Sequence, residues 1–489
     1  MISRFFVMSI SQLLKANSQK RLCCFLLTLL SLSPLLFCSP PVAHAQWGPD
    51  VRLTFDNSIS YTPLNNARYI AATGDTVHVV WHDLRDGNWE IYYKRSTDRG
   101  SSFGPDTRLT NDSAESVHPS IAVSGPFVHV VWYDSRDGNY EIYYKCSTDG
   151  GSNFGPDTRL TFNPNFSCSP SIAVQNSFDH VVWHDKRDGN WEVYYIRSTD
   201  GGVSWGQETR LTYNPDTSQF ASVAVTGSNV HVVWHENRSW VWEIYYKRST
   251  DFGTTWGSDT CLSNSPEFAK FPSMATSGSV IHLVWYDMRL SDYEIYYSRS
   301  TDGGRSFGPV MRLTNATGYS SNPSIAASGS IVHVAWQDER NGGQIFYKRS
   351  TDEGENFSPD TCLTNSSSYN AKPSIAFSGS AVHIVWNDFR DSNWEIYYKR
   401  NLTGNSGVED GEPLSLTTGA SRFTVFPNPF TSFASISGHS SERFALYDIS
   451  GRKVGVYSGD RIAWDVSPGV YFLRPEGKDA KPLRVVKVR

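Results

Sequence analysis

The 489-residue chain carries 44 Lys+Arg against 49 Asp+Glu, a net charge of −5, 39% apolar residues and 14% aromatics. The charge balance gives no basic field for phosphates, which argues against nucleic acid as a partner, and the abundant aromatics exclude a disordered chain. With a single long apolar run it is not a polytopic membrane protein, and 16 Trp, 25 Tyr and 37 Gly favour strands and tight turns.

That apolar run comes first. Arg4, Lys15, Lys20 and Arg21 precede the stretch from Leu22 to Phe37, and Ala43-His44-Ala45 follows. Basic, apolar and then small-x-small is the layout of a secretory signal peptide over residues 1–45, with Gln46 as the first mature residue. A membrane anchor is the alternative, disfavoured by the short run. A lipid on Cys38 is disfavoured by bulky Phe37 beside it. The mature chain is then expected to be exported, extracellular or at the outer cell surface, without a transmembrane segment. It keeps four cysteines, Cys146, Cys168, Cys261 and Cys362, too few for a disulfide framework in a chain of this size.

From residue 46 to about 402 the chain repeats. His-x-x-Trp recurs at His78/Trp81, His129/Trp132, His180/Trp183, His231/Trp234, His282/Trp285, His333/Trp336 and His383/Trp386, a spacing of 51 residues and finally 50. Each unit reads as four short β-branched or aromatic runs divided by Gly, Asp, Asn and Pro. Such a unit predicts a propeller blade, and seven of them predict an all-β, seven-bladed β-propeller with four-stranded blades. Trp47 to Thr54 matches the fourth-strand segment Phe103 to Thr110, while nothing after Arg400 supplies a fourth strand for the seventh unit. The N-terminal strand is therefore expected to complete the last blade and remove both free edges.

Between the third and fourth strands, six units carry Ser-x-Asp-x-Gly-x-x-aromatic, with the carboxylates at Asp98, Asp149, Asp200, Asp251, Asp302 and Asp352. The Asp is suited to accept N–H bonds across its turn, and the Gly to a left-handed conformation. The pattern resembles the Asp boxes, or bacterial neuraminidase repeats, of sialidases and related propellers. That resemblance implies a structural turn remote from any active site, and antiparallel connectivity puts a loop-built binding site on the opposite face. It also implies, for a sialidase, an arginine triad, a Tyr–Glu nucleophile pair and an Asp acid/base. The family's Arg-Ile-Pro signature is missing; Arg68-Tyr69-Ile70-Ala71 is the nearest segment, and Arg68 is a candidate for binding a substrate anion.

Other candidates repeat with the blades. Arg85, Arg136, Arg187 and their equivalents follow an acid by two residues, and strand three begins with Glu90, Glu141, Glu192 and equivalents. An Arg held between two carboxylates is the plain reading. Trp89, Tyr140, Trp191, Trp242, Tyr293 and Trp394 stand beside the Asp-Gly-Asn turns, where they either pack between blades or offer a ring to a sugar. The histidines of the repeat read as hydrogen-bonded core residues; no catalytic residue, metal ligand or cofactor is assigned. Symmetry breaks in the loops between blades, which carry Glu115, His118, Asp216, Glu267, Lys270 and Lys372.

A polar linker, 403–422, precedes residues 423–489, which read as a small β-sandwich. Pro427-Asn428-Pro429, Tyr447-Asp448 with Gly451-Arg452, and Pro468-Gly469-Val470-Tyr471 resemble the sorting domain of type IX secretion cargo and a similar domain of flagellar hook-capping proteins. The resemblance implies the type IX machinery as a partner. The functional expectation is an extracellular, non-catalytic binding propeller for glycans or another surface polymer; the alternative is a sialidase-like glycoside hydrolase.

Overall fold

The computed structural model describes residues 47–63, 68–238, 240–290, 292–340 and 342–404, and from there the segments 425–426, 434–436, 443–448, 452–458, 461–462, 467, 469–475 and 483–487. The signal peptide, the linker and the Pro427-Asn428-Pro429 motif expected from the sequence lie outside these residues. Contacts divide the chain into two units at Gly411/Glu412.

All regular structure among the described residues is β. The first unit contains seven antiparallel sheets. The second is representative: Ser116–Ser124, Phe127–Asp134, Glu141–Ser147 and Thr158–Arg159 pair in chain order. In the first sheet the innermost strand is split into Ser60–Tyr61 and Ile70–Thr73, both paired with Thr76–Asp83. The last sheet joins Asn370–Ser378, Ala381–Asp388 and Glu395–Asn401 to Val51–Arg52, with Val51 opposite Tyr398 and Arg52 opposite Tyr397.

Neighbouring sheets are stitched at their innermost strands. The amide of Ile172 donates to Ser120 Oγ (3.4 Å), and that of Ile375 to Ser324 Oγ (3.2 Å). The amide of Tyr69 donates to Ser374 Oγ (3.4 Å), which carries the last sheet back onto the first.

The repeated tryptophan explains why each unit folds alike. Trp81, Trp132, Trp183, Trp234, Trp285, Trp336 and Trp386 are fully buried. Each removes roughly 200 Å² from water, worth about 5 kcal/mol by area. The indole N–H cannot be left unpaired there, and the acid two residues on receives it: Trp81 Nε1 donates to Asp83 Oδ2 at 2.8 Å and Trp234 Nε1 to Glu236 Oε2 at 2.7 Å. The mid-strand histidines bond through Nδ1, as in His78 Nδ1 to Tyr93 Oη at 2.7 Å and His383 Nδ1 to Tyr398 Oη at 2.7 Å, while Nε2 of His129, His180, His231 and His282 has no hydrogen-bond partner among the described residues. Burial keeps these rings neutral, His78 being brought down to about 4.

The second unit has a four-stranded sheet in the order Lys453–Ser458, Arg443–Asp448, Gly469–Pro475, Leu483–Lys487, and a three-stranded one from Val425–Phe426, Ala434–Ile436 and Arg461–Ile462. Phe444, Leu446 and Leu473 are buried.

Candidate functional site

The Ser-x-Asp-x-Gly turns are closed structures. Ser102 N and Ser102 Oγ donate to the Asp98 carboxylate at 2.9 and 2.6 Å, and Ser96 Oγ donates to it at 2.7 Å. Asp149, Asp200, Asp251, Asp302 and Asp352 repeat the pattern. The hydrogen bonds from Ser204 pull the Asp200 carboxyl down to about 2. Every acceptor position points into its own turn, which accounts for these residues without a ligand.

The opposite face is built differently. The arginines expected beside the Asp-Gly-Asn turns are engaged: Arg85 bonds Asp83 through Nε (2.9 Å) and Nη2 (2.6 Å), Asp106 through Nη1 (2.6 Å), and lies 2.8 Å from Asp56. Burial alone would weaken its basicity, but Asp83 and Asp106 raise it. Arg136 does the same with Asp134, Asp157 and Asp112, and Arg187 with Asp185 and Glu208. Glu90 was expected in this pairing and is elsewhere, held by Arg108 Nη2 at 2.6 Å. The fourth strand, two residues wide, brings in that second arginine, a partner that spacing within the strand pair does not reveal.

Trp89, Tyr140, Trp191, Trp242, Tyr293 and Trp394 are half-buried. Five of these rings meet the residue that follows the core tryptophan of their own sheet, and Trp394 meets Phe389 and Tyr61. His82–Trp89, Tyr133–Tyr140, His184–Trp191, His235–Trp242 and Tyr286–Tyr293 have centroids 4.8–5.0 Å apart. A second set of side chains stands where six of the seven innermost strands bulge. His118, Ser169, Phe220, Phe271, Asn322 and Lys372 all have φ between 50° and 54°, and the register shifts across each of them. The bulge turns one residue per sheet out of the ladder, a device suited to re-aiming side chains at a site.

The ring-bearing members of the two sets join into arcs of a belt, interrupted at Ser169 and at Asn322. His82 and His118 lie 5.0 Å apart, His118 stacks on Tyr133 at 5.2 Å, and Phe220 bridges His184, His235 and Phe271 at 4.7–5.2 Å. Burial holds His118 and His184 down at about 3, so both are neutral at pH 7. His82, His184 and His235 went unnoticed in the sequence because they sit next to the core tryptophan inside a repeated strand, and Phe220 because an apolar side chain in a variable loop carries no charge to mark it.

A channel of about 290 Å³ is walled by alanine, valine, isoleucine, Thr276 and Phe377 from all seven innermost strands, and none of the belt rings lines it. Arg68 is the one charged residue lining it, and its Nη2 donates to the Met274 carbonyl at 3.1 Å. The crowded wall lowers its basicity. Lys372 Nζ stands 4.0 Å over the Tyr61 ring, with burial bringing it down to about 7, and Lys270 Nζ stands 4.4 Å over the Trp242 ring. Among the described residues no carboxylate forms an ion pair with Arg68, Lys270 or Lys372. The acids of the same loops are spent or further out: Glu115 accepts from Tyr140 Oη at 2.9 Å, and Glu267 is exposed. The four cysteines among the described residues, Cys146, Cys168, Cys261 and Cys362, are all free.

No family model and no curated protein matches this sequence. Solved structures do. A family PL25 polysaccharide lyase, an ulvan lyase bound to -[GlcA(1-4)Rha3S]-, is 11% identical with a TM-score of 0.53, over 72% of this chain and 95% of that one. Polysaccharide lyase Uly1 is 9% identical with a TM-score of 0.50, over 73% and 100%. The phage phi92 endosialidase is 9% identical with a TM-score of 0.46, over 90% and 87%. At these identities the likeness is one of fold. The chain is a β-propeller.

Proposed function

We propose that this protein is an exported seven-bladed propeller that binds glycans bearing negative charge, without cleaving them, at the belt opposite the Ser-x-Asp-x-Gly turns. The observation that carries this reading is Lys270 over the Trp242 ring and Lys372 over the Tyr61 ring, with Arg68 lining the channel: three cations without ion-pair partners among the described residues, two of them on rings that suit the C–H faces of sugars. The acidic glycans bound or cut by propellers of similar fold support it. Trp89, Tyr140, Trp191, Trp242, Tyr293 and Trp394 form the outer wall of the site in this reading, and the Arg85, Arg136 and Arg187 class buttresses it. Binding to immobilised ulvan, alginate and neutral laminarin tests it: acidic chains are retained and laminarin is not, and failure to retain any acidic chain would sink the proposal.

A sialidase-like hydrolase is the second reading, favoured by one observation, the guanidinium of Arg68 in the channel. Release of chromophore from a chromogenic sialoside would establish it. For the second unit we propose a β-sandwich that serves type IX export; a chain ending at residue 411 should then stay inside a type IX-competent host.

A further inference from the structure

The fourth sheet breaks the pattern of its neighbours at one point. Its second and third strands, Asn229–Arg238 and Val241–Ser249, run on further than elsewhere, with Arg238 paired to Val241. Trp240 lies in the connection, at the position held by Gly87, Gly138 and Gly189 in the first three sheets. Those glycines have φ of 93–95°, and Trp240 keeps a left-handed φ of 71°. A bulky residue is disfavoured in that conformation. Trp240 is also 89% exposed, the most exposed large apolar side chain among the described residues. Neither the backbone nor the core gains from tryptophan here.

The surroundings say what it is for. Two residues on, Trp242 joins the belt through His235 at 5.0 Å. Lys270 stands over Trp242 and, at 5.5 Å, over Phe268, and among the described residues no carboxylate pairs with it. An open indole two positions along the chain from a half-buried one, which itself carries a lysine amine over its ring, fits a pyranose stacked on its C–H face and an acidic substituent turned to the amine.

We propose that Trp240 is a stacking platform for an acidic polysaccharide, a subsite through which the chain leaves the belt across the fourth sheet. The proposal rests on the glycan-binding reading above and extends the ligand beyond one residue. It commits to a saccharide rather than a lipid surface because Lys270 over Trp242 supplies a cation for an acidic sugar; Leu290, in the corresponding turn of the fifth sheet, is exposed as well, which makes lipid vesicles the control.

The test uses W240G, which restores the residue of the other sheets. Relief of the left-handed strain keeps the melting temperature equal or higher, so lost binding cannot be misfolding. Immobilised ulvan and alginate should hold W240G at least fivefold more weakly than the wild type, with W240F close to the wild type and acidic tetrasaccharides losing less than long chains. Equal affinity of W240G and wild type for the polysaccharide would overturn the platform while leaving the belt intact. Failure of the wild type to bind any polysaccharide would overturn both. Wild-type binding to phosphatidylcholine vesicles that W240G lacks, with polysaccharide binding unchanged, would replace the saccharide by a membrane.

Discussion

The hydroxyl of Tyr93 occupies the space where a side chain on Gly151 of the next sheet would begin. The same contact joins Tyr144 to Gly202, Tyr195 to Gly253, Tyr246 to Gly304, Tyr297 to Gly354 and, across the seam of the ring, Tyr398 to Gly100. Because the hydroxyl also meets the core histidine at 2.7 Å, the Gly of each turn is a socket for its neighbour's Tyr–His pair. The preceding residue is left-handed too but faces open space, which is why Arg99, Phe252 and Glu353 are tolerated there.

Gly151→Ala should therefore cost at least about 2 kcal/mol, combining an overpacked contact with a disfavoured φ, whereas Gly150→Ala costs about 1 kcal/mol from φ alone. Urea titration of the two variants checks the difference; equal losses would mean that the Tyr93 contact is not limiting.

Asp179 is a second departure from the repeat, an acid at a fully buried position that is Val77, Val128 and Val230 in other sheets. Burial raises its carboxyl to about 7, with Asp200 adding to the effect, and His129 Nδ1 lies 3.5 Å away. A carboxyl raised in the folded state favours folding when protonated, so the wild type loses stability as pH rises from about 4 through about 7. Asp179→Val should add on the order of 3 kcal/mol at pH 8 and little at pH 4. Melting curves across that range decide it, and a gain independent of pH would contradict the assignment.

Lys372 gives the proposed binding face its own pH dependence. With its amine brought down to about 7 by burial, its charge falls away as pH rises past neutrality, while His82 and His118 stay neutral throughout. Affinity for an acidic glycan should drop by up to about tenfold between about pH 6 and about pH 8, and Lys372→Met should flatten the profile. Raising the salt concentration should weaken the wild type more than this variant.

Much of the propeller could be read from the sequence because its physics recurs: a buried indole, its acid and a glycine turn are stated seven or six times, each copy correcting the others. The face proposed to bind was legible only in part. Lys270, Lys372, His118 and Arg68 stood out because they break the repeat, but what they meet depends on bulges in six of the seven innermost strands. A bulge is a register shift between two strands, and nothing in the spacing of one strand announces it. The partner of Glu90 was missed for the same reason.

Removing residues 46–56 should strongly destabilise the first unit. Leu53 would leave the core, and buried Glu395 would lose Arg52 at 2.7 Å and the Thr54 hydroxyl. An unpaired buried carboxylate alone costs about 3–5 kcal/mol. An unchanged melting temperature would show that the seam is dispensable.

The same pairing has a temporal meaning. Arg52 and Glu395 are 343 positions apart, so the strand made first waits for the sheet made last. Until both ends are present, one edge of the seventh sheet stays bare and the first strand has no mate. The seam thus acts as a check on length: a product cut short before Glu395–Asn401 leaves Val51–Arg52 with no strand to pair.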